Sequence, residues 1–173
     1  QYLHTVFYEA DLTRPAFTEQ DYRDNTINLT WQVAQKHKVT ILGTNEDHCV
    51  CFTGVGPGRV PEASYDQEIY VPYGQVGWTY PRTSRLLFEA GWAYRQLTLN
   101  TDRVEGTTRT DIAVVNQLTG QAYGANLTGG GTWFGDYGFH GSAQTEVTRA
   151  SMAYVTGSHA FKTGFTAVQG HQP

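Results

Sequence analysis

Hydrophobic and polar residues alternate with a period of two in three separate parts of the chain. In Ile27-Asn28-Leu29-Thr30-Trp31-Gln32-Val33 every odd position is apolar and every even position polar. Such a run predicts a strand with one apolar face, because successive side chains of an extended chain point to opposite sides. A short polar connection, Ala34 to Lys38, leads to a second strand opening at Val39-Thr40-Ile41. The next copy sets Val76, Trp78 and Tyr80 against Gln75, Gly77 and Thr79. A tight turn at Pro81-Arg82-Thr83-Ser84 precedes a strand running from Arg85 to Leu99. There Leu86, Phe88, Ala90, Trp92 and Tyr94 share one face, and Leu87, Glu89, Gly91, Ala93 and Arg95 share the other. The last copy places Ala150, Met152 and Tyr154 on one face, turns at Thr156-Gly157-Ser158-His159, and returns through Phe161, Thr163 and Phe165 opposite Lys162, Gly164 and Thr166.

Between these hairpins lie segments with turn chemistry and no period. Asn45 to Tyr73 holds Gly54, Gly56, Pro57, Gly58, Pro61 and Pro72. Asn100 to Thr110 is polar and charged, and Asn126 to Gln144 carries Gly129-Gly130-Gly131. Tight turns and long excursions therefore alternate, which puts short turns at one end of a sheet and long loops at the other. Only Thr18 to Arg23 reads as a helical turn, and no domain boundary is visible. The expected fold is all-β: an antiparallel up-and-down β-barrel or part of one, of about six to eight strands. Residues 1–173 form a single segment in this reading.

Composition narrows the picture. Of 173 residues, 39% are hydrophobic and only 16% charged, with 19 Gly, 11 Tyr and 4 Trp. A chain this poor in charge and rich in Gly and aromatics disfavours helix bundles and coiled coils. The net charge of −4 offers no general basic surface, so nucleic acid is not an expected partner. No apolar run reaches the 18 or so residues of a membrane helix. The longest charge-free run, Ile112 to Gly135, is full of Asn, Gln, Thr and Gly. A membrane β-barrel stays open, since its alternating strands average to a soluble-looking hydropathy. The chain starts Gln1-Tyr2-Leu3-His4 with neither a basic nor an apolar leader region, which predicts a removed leader or a piece of a longer chain.

The apolar faces carry Trp31, Trp78, Tyr80, Trp92, Tyr94 and Tyr154 near strand ends. A membrane barrel places such rings in girdles at the two lipid–water interfaces. A soluble core or a sugar-binding face uses the same residues, and the strand pattern alone does not separate these readings. The opposite faces, with Asn28, Thr30, Gln32, Gln75, Thr79, Glu89 and Arg95, suit a polar barrel interior.

Catalytic and metal chemistry is expected to be missing. Gly-x-Ser-x-Gly does not occur, and Gly54-Val55-Gly56-Pro57-Gly58 lacks the Lys-Ser/Thr of a phosphate loop and reads as a flexible loop. Glu46, Asp47, Glu62, Asp66 and Glu68 gather in the first long loop without calcium-loop spacing and read as solvated. Cys49-Val50-Cys51 is too closely spaced for a usual zinc half-site. It reads as loop cysteines or a small disulfide loop, with a metal site shared with His48 as the other reading. His37 and His159, at short turns, read as solvated.

The phrases Asn28-Leu29-Thr30-Trp31-Gln32-Val33, Lys38-Val39 and Cys49-Val50-Cys51 resemble the barrel of TonB-dependent outer-membrane receptors. The closest group is the large kind with an N-terminal carboxypeptidase-regulatory-like domain, the Oar-like receptors. Thr83-Ser84-Arg85-Leu86-Leu87-Phe88-Glu89-Ala90-Gly91 and Asn116-Gln117-Leu118-Thr119-Gly120-Gln121-Ala122-Tyr123-Gly124 are similar to the same family. So is Tyr154-Val155-Thr156-Gly157-Ser158-His159-Ala160-Phe161-Lys162-Thr163-Gly164. Such receptors hold a plug in a barrel of about 22 strands. Neither plug nor TonB box is recognisable here, and the C-terminus Gly170-His171-Gln172-Pro173 is not a terminal aromatic strand. The resemblance thus implies an internal barrel segment.

The expected function is non-catalytic: part of an outer-membrane receptor for TonB-dependent ligand uptake, at the bacterial outer membrane or cell surface. Expected partners are outer-membrane lipid, a small-molecule or oligosaccharide ligand, and TonB only through the full-length receptor. Self-association through strand edges is a further possibility. No cofactor is expected. Trp133, Phe134, Tyr137 and His140, aromatic residues in the Gly-rich segment, are the candidate ligand contacts. The rival readings are a secreted or surface β-sandwich or barrel that binds carbohydrate, a structural subunit that assembles through open edges, and a small hydrolase using the loop carboxylates Glu46, Glu62 and Glu68.

Overall fold

A computed structural model describes residues 16–108, 110–126 and 139–172, the side chains of residues 139 and 140 excepted. Six long strands carry most of the chain: β1 (Glu19–Ala34), β2 (His37–Thr53), β3 (Tyr65–Thr83), β4 (Leu86–Arg103), β7 (Phe139–Thr156) and β8 (His159–His171). Two short strands, β5 (Val114–Val115) and β6 (Ala122–Tyr123), lie in the connection between β4 and β7. One 3-10 turn, Pro61–Ala63, sits between β2 and β3. The described residues include no α-helix.

The long strands form one antiparallel sheet in the order β1-β2-β3-β4-β7-β8, and β5 and β6 pair separately. The expected all-β, up-and-down architecture is therefore present, as a sheet that is not closed: β1 and β8 are its edges. Every residue of both edge strands is exposed.

The three tight turns are two residues each, Gln35-Lys36, Ser84-Arg85 and Gly157-Ser158. In the last, Gly157 takes φ 52°, a left-handed conformation that glycine adopts without steric cost. The β7–β8 register follows from it, pairing Thr156 with His159, Tyr154 with Phe161, Met152 with Thr163 and Ala150 with Phe165. The turn expected at 81–84 instead lies at Ser84-Arg85, so β3 carries Pro81 within it.

The strands run well beyond the stretches that alternate. Thr18 to Arg23 forms no helical turn: Glu19 onward is strand. The supposed loop Asn45–Tyr73 shrinks to residues 54–64, because β2 continues to Thr53 and β3 begins at Tyr65. The carboxylates Glu46 and Asp47 are thus in β2, and Asp66 and Glu68 in β3. These extensions mix polar residues with a few apolar ones, such as Val50, Phe52 and Ile69, so no sustained hydrophobic period announces them as strand.

The residues fall into two compact units. Unit one holds the described residues of 1–23, 47–69 and 98–141; unit two holds those of 24–46, 70–97 and 142–173. All described residues that are buried belong to unit one: Val60, Ala63, Ser64, Thr101, Val104, Ala125 and Asn126. There the glycine-rich stretch is ordered rather than loose. Gly56 and Arg59 exchange backbone hydrogen bonds of 3.0 and 3.1 Å, the Ala122 N–H donates to the Gly58 carbonyl at 2.9 Å, and the Val60 N–H to the Ala122 carbonyl at 3.1 Å.

Candidate functional site

In unit two the side chains sort onto two faces, and contacts between strands fix which residues share each. His37 stacks on Tyr80, with ring centroids 4.2 Å apart, and Tyr80 on Phe88, 6.2 Å apart, so the three lie on one face of β2, β3 and β4. Ile27 lies beside Gly43, which places the odd positions of β1 with the odd positions of β2. The β7–β8 register adds Ala150, Met152, Tyr154, Phe161 and Phe165 as one set. On the other face, Ser151 and Lys162 reach Glu89, and Thr44 reaches Asp24.

The first face is apolar and open. Exposure is 71% for Ile27, 58% for Trp31, 62% for Phe161 and 61% for Phe165, and Leu29, Val33, Val76, Trp92, Met152 and Tyr154 are exposed as well. No described residue of unit two is fully buried. Side chains of this size each gain roughly 1.5–3 kcal/mol when withdrawn from water. A sheet face that leaves so many of them exposed is a large unpartnered apolar surface.

Aromatic rings mark two levels of this face. Near the tight turns, His37, Trp78, Tyr80 and Phe88 form a continuous stacked row, and the Trp78 indole N–H donates to His37 Nδ1 at 3.2 Å. Higher on β4, Trp92 and Tyr94 lie with ring centroids 6.2 Å apart. Phe88 and Tyr94 are six residues apart, roughly 20 Å along a strand. His37 was expected to be a solvated turn residue. It is instead the first residue of β2 and half-buried among rings, because the strand starts two residues before the alternation that opens at Val39.

The second face is polar and concave. A hollow of about 570 Å³ is lined by residues of β2, β3, β4, β7 and β8, among them Thr40, Thr79, Glu89, Arg149, Ser151 and Lys162. Lys162 Nζ and Ser151 Oγ both donate to Glu89 Oε2, at 3.4 and 3.2 Å. No sequence pattern singles out Arg149, because residues 139–148 before it show no sustained alternation. A usable signal was the glycine at same-face strand positions 77, 91 and 164, since glycine inside a strand marks a close approach of other atoms.

Unit one has its own feature at the end of β2. Cys49 and Cys51 are joined in a disulfide with their Cα atoms 5.5 Å apart. The cysteines are in a strand, not a loop, and they share a face because they are two residues apart. Phe52 follows with φ 53°, its N–H donating to Asp66 Oδ1 at 2.8 Å and its ring packed edge-on against Phe17 at 5.3 Å. His48 stacks on Tyr22 at 4.6 Å. With the sulfurs bonded to each other, the metal reading with His48 loses its thiolate donors. No group of three or more His, Cys, Asp or Glu that would hold a metal occurs among the described residues.

Of the candidate ligand contacts, Trp133, Phe134 and Tyr137 lie outside the described residues. His140 is the second residue of β7, in a strand where a loop was expected, with only its backbone described. No protein-family model matches the chain, and no curated protein or solved structure does either.

Proposed function

We propose that this chain is a wall segment of a membrane-spanning β-barrel in the bacterial outer membrane, a non-catalytic part of a receptor for TonB-dependent ligand uptake. One observation carries the reading: unit two turns a continuous, aromatic-marked apolar face outward while its opposite face is polar. The apolar positions of β4, Leu86 to Tyr94, span eight residue rises, roughly 27 Å along the strand. At the 35–45° tilt of barrel strands that is a height of roughly 20 Å, close to the apolar band of an outer-membrane barrel. The stacked row at His37, Trp78 and Tyr80 fits a girdle at one interface, and Trp92 with Tyr94 fits the other. The unpaired edges of β1 and β8 would be met by neighbouring barrel strands, since six strands are too few for closure around a lumen. Ligand recognition would fall to the long connections, with Trp133, Phe134, Tyr137 and His140 as contacts.

A carbohydrate-binding sandwich needs a second sheet over the apolar face. Among the described residues the other sheet has two strands of two residues each. The deciding measurement is detergent dependence. The chain is expected to stay dispersed and β-rich in nonionic detergent, to insert into lipid vesicles, and to aggregate when detergent is withdrawn. A folded monomer in plain buffer, by light scattering and circular dichroism, overturns the membrane reading.

A further inference from the structure

Three strands of unit two place a glycine on the polar face: Gly77 in β3, Gly91 in β4 and Gly164 in β8; Gly77 and Gly164 line the hollow, and Gly91 lies against Arg149, which also lines it. Glycine inside a strand costs backbone entropy and offers nothing to pack. Each of these positions has a neighbour standing where a side chain would begin. A Cβ would lie 2.8 Å from Thr40 Oγ1 at position 77, 3.0 Å from Arg149 Nε at position 91, and 2.5 Å from the Ala150 carbonyl oxygen at position 164. Gly91 leaves room for the Arg149 side chain, exposed to solvent, to lie against the backbone of β4.

The charge there runs against that of the molecule. The chain carries −4, but the charged residues lining the hollow are Arg149, Lys162 and Glu89, two cations to one anion. Glu89 is already matched, receiving Lys162 Nζ and Ser151 Oγ on one oxygen. Arg149 has no hydrogen-bond or ion-pair partner among the described residues. A guanidinium offers five N–H donors in a planar fork, the geometry that carboxylate and phosphate oxygens satisfy two at a time. Thr166, paired with Arg149 across the β7–β8 ladder, and Thr40 and Thr79 add hydroxyls around it.

We propose that this hollow is a subsite for the oxyanion of a small hydrophilic solute, a carboxylate or a phosphate, held by Arg149 above Gly91. Its volume of about 570 Å³ is that of a small-molecule site. The subsite lies on the face opposite the apolar one, so it goes beyond the membrane reading and does not depend on it.

The test is calorimetric titration of the solubilised chain with D-glucuronate, D-glucose 6-phosphate and D-glucose. At least one of the two acids is expected to bind tenfold or more tighter than glucose, and the tighter acid identifies the group. Arg149→Gln is expected to weaken that acid by about 10- to 100-fold, the value of a charge-assisted hydrogen bond. Gly91→Ala keeps every charge but displaces Nε, and is expected to weaken it severalfold. Arg149→Lys, which keeps the charge and loses the fork, should fall between wild type and Arg149→Gln, and serves if Arg149→Gln does not fold. Equal binding of all three sugars, no binding of any, or an Arg149 variant with wild-type affinity overturns the proposal.

Discussion

The two units of this chain solve opposite problems with the same strands. Unit one wraps its connections around small buried side chains, Val60, Ala63, Ser64, Val104 and Ala125, and behaves as a globular core does. Unit two buries none of its described residues and presents its largest apolar ones outward. The contrast teaches how to read the composition. A low charge content with abundant Trp and Tyr does not mark a large core here. It reflects a sheet with one apolar and one polar face, with the few buried residues gathered in and beside the connections of unit one.

The sharpest way to break this comparison is to put one charge on each face of the same strand. Ala90 is the middle of the five apolar positions of β4, and Ala93 lies on the opposite face among Glu89, Gly91 and Arg95. If lipid covers the apolar face, Ala90→Lys costs about 2–4 kcal/mol, the penalty of a lysine at mid-bilayer, and Ala93→Lys costs close to nothing. Urea unfolding in lipid vesicles reads both. Equal effects at the two positions would show that the faces do not meet different surroundings.

The core of unit one provides the converse. Val104 is 3% exposed, and truncating it to Ala removes two carbons and leaves a cavity, costing about 2 kcal/mol. The matching truncation in unit two, Val33→Ala, acts on an exposed side chain and costs about 0.5 kcal/mol. Hydrogen exchange localises the first loss. The amides of Ala63 and Ser64, bonded to the Val60 and Pro61 carbonyls at 3.0 Å each, and that of Thr107, bonded to the Val104 carbonyl at 3.2 Å, should exchange faster in Val104→Ala.

What could be read in advance follows the same divide. In unit two the alternation of Ile27–Val33, Val76–Tyr80, Leu86–Tyr94 and Ala150–Phe165 placed the strands and their faces, because one face is apolar and the other is not, while the turn expected at 81–84 fell at Ser84-Arg85. In the unit-one parts of β2 and β3 the apolar residues, Val50 and Phe52 in one and Tyr65 and Ile69 in the other, are few and flank a Gly- and Pro-rich connection, so Asp47–Thr53 and Tyr65–Ile69 looked like loop despite being strand. Pro72 and Pro81 strengthened that error, since proline argues against an interior strand and β3 contains both. The polar hollow was half legible. Glu89 and Lys162 sat on the right face, but their meeting at 3.4 Å depends on which strands are neighbours, and the β4–β7 adjacency leaps a connection of more than thirty residues. The strand boundary at His37 lies two residues before the expected one, which turns a solvated side chain into one stacked against Trp78 and Tyr80.

The smallest of these effects is expected at the Cys49–Cys51 bridge. The bridge closes a loop of only three residues, so the chain entropy it removes amounts to about 1.6 kcal/mol. Two residues of regular strand advance roughly 6.6 Å, whereas these Cα atoms are 5.5 Å apart, so the bridge draws in the end of β2 just before Phe52 turns to φ 53°. That left-handed residue is secured separately, by Asp66 on its N–H and Phe17 on its ring. Replacing both cysteines by serine should therefore loosen residues 49–55 by about 1–1.6 kcal/mol without unfolding unit one. Hydrogen exchange should report the change at the amides of Phe52 and Val55 and leave the strand amides of 75–80 and 86–94 in unit two as they were. A loss of similar size in both sets would mean that the two units open together, and that the division between a buried core and an outward-facing sheet is one of surroundings alone and not of stability.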